Sequence, residues 1–479
     1  MTAATAAKKG RRLHPARMGT RVSHFWSDLT REHGYEPLKL EGDIPQELAG
    51  TLYRTGPALT QRFGRPYGHV FEGDGAICAV RLGEGKAQGA HRLLRGDGFV
   101  EEERAGRPLY QTAVSWPRQV ANGLLGRFKN TGNTNVMEWH GHLYALMENA
   151  RPIAFDRELE TVGETSFGGV IQGAFSAHPH PVPSRRTTYN IGLRYGRKTS
   201  VAIYSLPWEG QARCLTELPL DHPVMLHDFM ATEKHVVMLV SPLRLVIHRA
   251  ILSIGDFTDL FRWTPSAGTE VIVVPIDEPE RVRRFRTDAF FQIHFCGGRE
   301  EPDAVAVDVM KYADSSALDV NVADVDEPPQ TGEVTRIRIP HGTDRVEHER
   351  LCETTLEFGQ TDLRMAGSDY RHLFGLNVDE ENRFRLVHVD LERGSEDVFR
   401  FPEGEFNSEA LFVPRSPEAP EGEGYLLSIV YRSSSRTSHL AVFDAQHVSD
   451  GPVARAHFDH HIPSGFHGTW VSQVGSGAA

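Results

Sequence analysis

Four histidines stand in short segments of small or apolar neighbours. They are His178 in Ser176-Ala177-His178-Pro179, His227 in Leu226-His227-Asp228-Phe229, His294 in Gln292-Ile293-His294-Phe295 and His467 in Gly465-Phe466-His467-Gly468. Neutral imidazole is a ligand for iron, copper, nickel and zinc. A structural zinc finger gathers its ligands from short loops. Here the gaps are 49, 67 and 173 residues, so only a fold that carries remote segments to one point could unite them. Four imidazoles add no negative charge, and such ligands draw support from carboxylates that accept the other ring N–H. Glu148 after Ala145-Leu146-Met147, Glu357 in Leu356-Glu357-Phe358 and Glu409 in Ser408-Glu409-Ala410 each lie beside apolar residues, where an unpaired carboxylate would be costly. The chain has 24 histidines. His180, His222, His235, His460 and His461, near the four, read as ordinary surface or core residues.

The elements that must position these residues are strands. Short β-branched or alternating runs recur at 142–147, 201–206, 235–241, 271–276, 304–309, 334–339, 384–391, 426–431 and 439–443. Turn clusters such as Pro265-Ser266-Ala267-Gly268 and Glu421-Gly422-Glu423-Gly424 separate them. Many short strands with frequent turns predict an all-β sandwich, barrel or propeller. A chain of 479 residues with no repeated strand–helix pattern favours the propeller, and no short sequence repeat marks it as a WD or kelch array. The acidic stretch 319–333 reads as an exposed insertion, residues 1–20 as a disordered tail, and 21–479 as a single domain.

One segment breaks the pattern. Ser115 can cap a helix and Pro117 is tolerated in its first turn. Trp116, Val120, Leu124 and Phe128 then recur every fourth residue, with Leu125 beside them, which predicts an amphipathic helix over 115–129 flanked by Arg118, Arg127 and Lys129. Such a face either packs on the core or dips into a lipid interface, giving access to a lipid-soluble substrate.

Composition excludes some partners. The net charge of −12 argues against nucleic acid, whose binding needs clustered Lys and Arg. The four cysteines form no C-x-x-C pair and read as free thiols of a reducing compartment. The first twelve residues turn basic with no apolar region behind them, unlike a signal peptide, and no run approaches 18 apolar residues. These features predict a cytoplasmic protein, at most resting on a membrane surface.

Taken together, the histidines and glutamates resemble those of the carotenoid cleavage oxygenase family, which includes apocarotenoid oxygenases, stilbene-cleaving oxygenases and the retinal pigment epithelial membrane protein. Further matching stretches are Gly50-Thr51-Leu52-Tyr53-Arg54-Thr55-Gly56-Pro57, Phe71-Glu72-Gly73-Asp74-Gly75, Asn133-Thr134-Asn135 and Gly465-Phe466-His467-Gly468-Thr469-Trp470, all in the family's order from about residue 36 to 471. The resemblance implies a seven-bladed β-propeller with a cap of loops and short helices over an axial ferrous iron, one Fe(2+) per chain. It implies His178, His227, His294 and His467 as metal ligands. Behind them it implies Glu148, Glu357 and Glu409, orienting His227, His294 and His467 respectively. It also implies membrane contact or substrate access through Trp116, Val120, Leu124, Leu125 and Phe128. The sequence departs from the family at Gly297-Gly298, where an Asn-Ala-like pair is usual, and at Glu357-Phe358-Gly359, where Glu-Phe-Pro is usual. Both changes bear on the pocket wall rather than on a ligating atom.

The chemistry so implied is dioxygenase cleavage of a C=C double bond in a carotenoid or apocarotenoid, with a lipophilic polyene and O2 as partners and two carbonyl products. No Ser-His-Asp or paired-carboxylate arrangement competes with it. The alternatives are cleavage of a hydroxystilbene at the same iron, a non-catalytic lipid- or protein-binding propeller, and isomerisation without oxygen.

Overall fold

Seven sheets of antiparallel strands form the blades of a β-propeller in this computed structural model, which describes residues 27–195, 198–255, 257–318 and 329–473. The tail expected at 1–20 and most of the acidic stretch (319–328) lie outside the described residues. From the inner edge outward, the second blade comprises Asn135–Trp139, His142–Leu146, Ile153–Phe155 and Thr161–Glu164. The third comprises His180–Val182, Thr187–Arg194, Thr199–Pro207 and Arg213–Leu220. The fourth runs Met230–Ala231, His235–Val240, Thr269–Pro275 and Arg283–Thr287; the fifth runs Phe291–Glu300, Ala304–Tyr312, Glu333–Pro340 and Glu347–Arg350. The sixth runs Glu357–Gln360, His372–Val378, Phe384–Asp390 and Ser395–Arg400.

The first and seventh blades close the ring by pairing the two ends of the chain. The first has Gly50–Leu59, Asp74–Gly83, Lys86–Leu93 and His33–Pro37, and takes Gly468–Ser472 as its inner strand. The seventh has Glu405–Asn407 and Leu411–Pro414 inside, then Gly424–Arg432, Thr437–Asp444 and Ala454–His457, and takes Lys39–Gly42 as its outermost strand. An apolar cluster seals this seam, with Leu52, Val80 and Leu82 of one blade against Leu427, Leu440 and Ala454 of the other. A comparable cluster joins the third and fourth blades through Ile191, Ile203, Met238 and Ile272. Strands buried on both faces read as near-continuous apolar runs, as in HVVMLV over His235–Val240. The outermost strand of the fifth blade, EHER, is fully exposed, and its charges discourage edge-to-edge pairing.

Two insertions make the cap. One lies between the first two blades and holds the helices Asp97–Ala105 and Trp116–Leu125. The other interrupts the fourth blade and holds the helix Ile247–Leu252 above the pair Leu243–Leu245 and Phe261–Trp263. They meet where Gly123 permits it, since a Cβ there would lie 2.7 Å from the Ile251 carbonyl oxygen. Trp116 Nε1 also donates to the Leu252 carbonyl at 2.8 Å. The helix expected over 115–129 stops at Leu125, because Gly126 turns left-handed (φ 62) and closes the end onto the Asn122 and Gly123 carbonyls. Lys129 therefore does not flank an exposed face. It is buried, with Nζ 2.7 Å from Asp74 Oδ1, 2.9 Å from Glu102 Oε2 and 2.7 Å from Tyr67 Oη, and it pins the cap to the first blade.

Candidate metal centre

Each blade contributes one of the seven residues singled out by motif, at or near its inner edge. His467 precedes the inner strand of the first blade, and Glu148 follows the second strand of the second. His178 and His227 stand just ahead of the inner strands of the third and fourth. His294 lies within the inner strand of the fifth, Glu357 opens that of the sixth, and Glu409 lies between the two inner strands of the seventh.

The four rings converge. His178 Nε2 is 2.9 Å from His227 Nε2, His227 Nε2 is 3.4 Å from His294 Nε2, and His467 Nε2 is 3.2 Å from His294 Nε2. His178, His294 and His467 are buried, and their ligand atoms lie within 4.8 Å of one another. Behind the rings, His227 Nδ1 donates to Glu148 Oε2 at 2.8 Å, His294 Nδ1 to Glu357 Oε2 at 2.6 Å and His467 Nδ1 to Glu409 Oε1 at 2.8 Å. Each of the three carboxylates thus stands behind a different ring. A proton held at Nδ1 leaves the Nε2 lone pair facing the common centre. Lone pairs so close would repel, and a cation among them removes the conflict, so the donor set fits a metal that accepts neutral imidazole.

Burial favours the neutral, ligating form of His178 and His467. Burial, and after it the neighbouring His227, His467 and His294 rings, hold His178 well below the ordinary histidine value, so its imidazole stays neutral. Burial also lowers His467, against the pull of Glu409. For His294 burial acts downward, but Glu357, Asp228 and Glu409 together outweigh it and the net shift is upward. Burial would raise Glu357 and Glu409, yet their histidine partners keep both below the usual carboxylate value, so they remain anionic acceptors.

Several residues in the site escaped motif reasoning. Asp228, next to His227, is buried and accepts from its own neighbour Phe229 N at 2.7 Å, from Phe295 N at 2.8 Å and from His180 Nε2 at 2.8 Å. It thereby ties three blades together beside the histidine cluster, with His180 as one of its partners. Tyr312 donates to Glu357, and Gln360 Nε2 donates to Glu409 Oε1 at 2.8 Å. Ser176 Oγ accepts from His178 N and donates to the His227 carbonyl, while Asn135 Nδ2 holds the Ala177 carbonyl at 2.7 Å. Phe358 has φ 51 and lays its ring 5.3 Å from that of His294 and 5.2 Å from that of His467. A left-handed phenylalanine persists only where its surroundings enforce it. Neither Asp228 nor Phe358 carries a spacing signal, although both sit inside quoted motifs.

The glycine departures have a packing cause. A Cβ at Gly297 would lie 2.2 Å from Tyr370 Cε1, one at Gly298 2.5 Å from Met230 Cγ, and one at Gly359 2.1 Å from Met310 Cε. At the expected access surface, Trp116, Leu124, Leu125 and Phe128 are exposed and Val120 is half-buried. Ile247, Leu252 and Ile254 of the second insertion are exposed as well, and sequence periodicity did not reveal them. No helix among the described residues is long and apolar enough to cross a membrane.

The fold and the ring of histidines define a propeller with a candidate axial metal centre, and sequence comparison gives it a family. The model of the retinal pigment epithelial membrane protein family matches residues 26–472, and the chain belongs to that family, the carotenoid cleavage oxygenases. The apocarotenoid-15,15'-oxygenase of Synechocystis is 28% identical over 470 residues, 92% of this chain and 94% of that protein. The lignostilbene-alpha,beta-dioxygenase isozyme III of Sphingomonas paucimobilis is 28% identical over 464 residues, 91% of this chain and 93% of that protein. A crystal structure of cobalt-substituted Synechocystis apocarotenoid oxygenase matches with a TM-score of 0.87 and 25% identity, covering 94% of this chain and 98% of that one.

Proposed function

We propose that this protein is a non-haem iron(II) dioxygenase that cleaves a C=C double bond of a carotenoid or apocarotenoid, with one oxygen atom of O2 appearing in each of two carbonyl products. The observation that carries this reading is the convergence of four Nε2 atoms from four blades, three of them backed by carboxylates on Nδ1. His178, His227, His294 and His467 would hold the metal, and Glu148, Glu357 and Glu409 would orient it through the last three. When bound, ferrous iron would supply the redox activation of dioxygen that zinc cannot. The chain supplies the remainder. Three Nδ1 protons are fixed on carboxylates, so the rings of His227, His294 and His467 are held against rotation. Phe358 covers one side of the centre with an apolar ring and limits water there. Phe466, adjacent to His467, begins a row of rings through Phe71 and Phe257 to Phe261 in the cap, with neighbouring centroids 5.6, 5.5 and 5.4 Å apart. That row suits a flat, apolar polyene. The exposed Trp116, Leu124, Leu125, Phe128, Ile247 and Ile254 beside it form an apolar surface through which we place contact with a membrane and access for such a substrate.

The second reading is cleavage of a stilbene at the same centre, favoured by equal identity, 28%, to the lignostilbene dioxygenase. Iron-loaded protein incubated with an apocarotenoid panel and with hydroxystilbenes, with oxygen uptake and product masses recorded, separates the two. Aldehyde from the apocarotenoids alone supports the first, and aldehyde from stilbenes alone the second. Neither uptake nor product from any of them would sink both.

A further inference from the structure

The stretch Gly50-Thr51-Leu52-Tyr53-Arg54-Thr55-Gly56-Pro57 has no role in the ligand set, yet it carries Arg54, one of the largest fully buried side chains in the protein, 2% exposed. Its guanidinium spans three segments. Nη1 donates to the Glu409 carbonyl at 3.0 Å and to Glu409 Oε2 at 3.1 Å, and Nη2 donates to the Phe466 carbonyl at 2.6 Å. Glu409 thus divides its oxygens, with Oε2 for Arg54 and Oε1 for His467 Nδ1 and Gln360 Nε2. Phe466 is the residue before His467. We propose that Arg54 is the positioning residue of the His467 corner: by gripping the Glu409 carboxylate and the Phe466 carbonyl together, it fixes where the His467 Nε2 lone pair points. This rests on the metal-centre reading above.

The corner needs such a device. His294 lies inside a ten-residue strand, whereas His467 stands at the start of a five-residue edge strand that closes the ring. Its main chain is held by Thr55 N, which donates to the His467 carbonyl at 3.1 Å, and Arg54 pairs in register with Gly468. The glycine is required there. A Cβ on Gly468 would sit 2.2 Å from the Tyr53 carbonyl oxygen and 2.8 Å from Arg54 Cγ, in the path of the arginine stem. The rigid planar fork of arginine holds the carboxylate and the Phe466 carbonyl on two separate nitrogens in a fixed geometry, whereas an ammonium is a single point charge on a flexible stem. Among the described residues Glu357 and Glu148 have no such cation: Glu357 takes Tyr312 and the Phe358 N–H besides its histidine, and Glu148 takes His227.

Charge and position make opposite predictions. Removing a cation near a bound dication would, by Coulomb attraction alone, tighten metal binding. Removing the device that aims a ligand weakens it. The test is titration of metal-free protein with Co2+, read by its visible d–d absorption, for wild type, Arg54→Met, Arg54→Lys, Glu409→Gln and the double variant Arg54→Met/Glu409→Gln. Arg54→Met is expected to weaken Co2+ binding about 10- to 100-fold and to shift the absorption bands, with Arg54→Lys between it and wild type. The double variant is expected to bind within about twofold of Glu409→Gln alone, because the arginine acts mainly through that carboxylate. If Arg54→Met does not fold by circular dichroism, Arg54→Lys and the double variant, which removes both buried charges, decide the matter. Binding by Arg54→Met as tight as wild type with unchanged bands, or penalties that multiply in the double variant, would overturn the proposal while leaving the metal centre intact. A wild-type protein that takes up neither Co2+ nor Fe2+ would remove the centre and the proposal with it.

Discussion

At the scale of single residues, His294 and His180 lead to different expectations on replacement. His294→Ala removes a buried Nε2 from the cluster and should abolish stoichiometric iron binding and oxygen uptake. His180→Ala, only two residues from His178, should keep iron at wild-type stoichiometry and lose about 1–3 kcal/mol of stability as Asp228 forfeits one of its three partners. Metal analysis and urea unfolding check both. Glu357→Gln should fold, since the amide oxygen can still accept from the Phe358 N–H and the amide NH2 can donate to the Tyr312 hydroxyl. Its iron affinity or turnover should fall about 10- to 100-fold, because a neutral amide is the poorer acceptor for His294 Nδ1. The four histidines and three glutamates could be singled out because each sits in its own motif. Asp228, Phe358 and Arg54 were not read as functional, because their roles arise from contacts between blades that no local spacing encodes.

At the scale of elements, legibility followed burial. All nine β-branched or alternating runs read from the sequence appear as interior strands of blades, most of them buried on both faces, while 334–339 alternates buried and half-buried residues. The inner edge strands that carry the site, such as Met230–Ala231, Glu357–Gln360 and Gly468–Ser472, are short, polar or glycine-containing and left no such pattern. The cap helix was legible in type but not in extent, since a left-handed Gly126 ended the four-residue rhythm before Phe128. That helix yields a prediction of its own. Leu124→Glu with Leu125→Glu, at two fully exposed positions, should leave iron content unchanged and reduce cosedimentation with phospholipid vesicles several-fold. Unchanged cosedimentation would remove this surface from the account.

At the scale of the whole molecule, the ring closes by pairing strands from opposite ends of the chain, so stability and site geometry are coupled through one seam. Acid should loosen the structure. Burial, then the neighbouring His372 ring, pushes His388 down to about 4, and burial, then Arg432, pushes His439 down to about 3. Both are neutral when folded at pH values where the unfolded chain protonates them. Their contribution is therefore complete above about pH 6.5 and is lost as pH falls toward 4 and 3, by about 1.4 kcal/mol per pH unit for each extra proton bound by the unfolded state. Urea unfolding between pH 7 and 5 should show this slope, and His388→Gln should flatten it. That four remote blades hold one cation is tested most directly by the stoichiometry of ferrous iron bound by the metal-free protein under anaerobic conditions. One iron per chain in the wild type, lost when His178, His227, His294 or His467 is replaced singly by alanine, is the expected result. Absence of bound iron in the wild type, or iron retained at one per chain in all four variants, would contradict it.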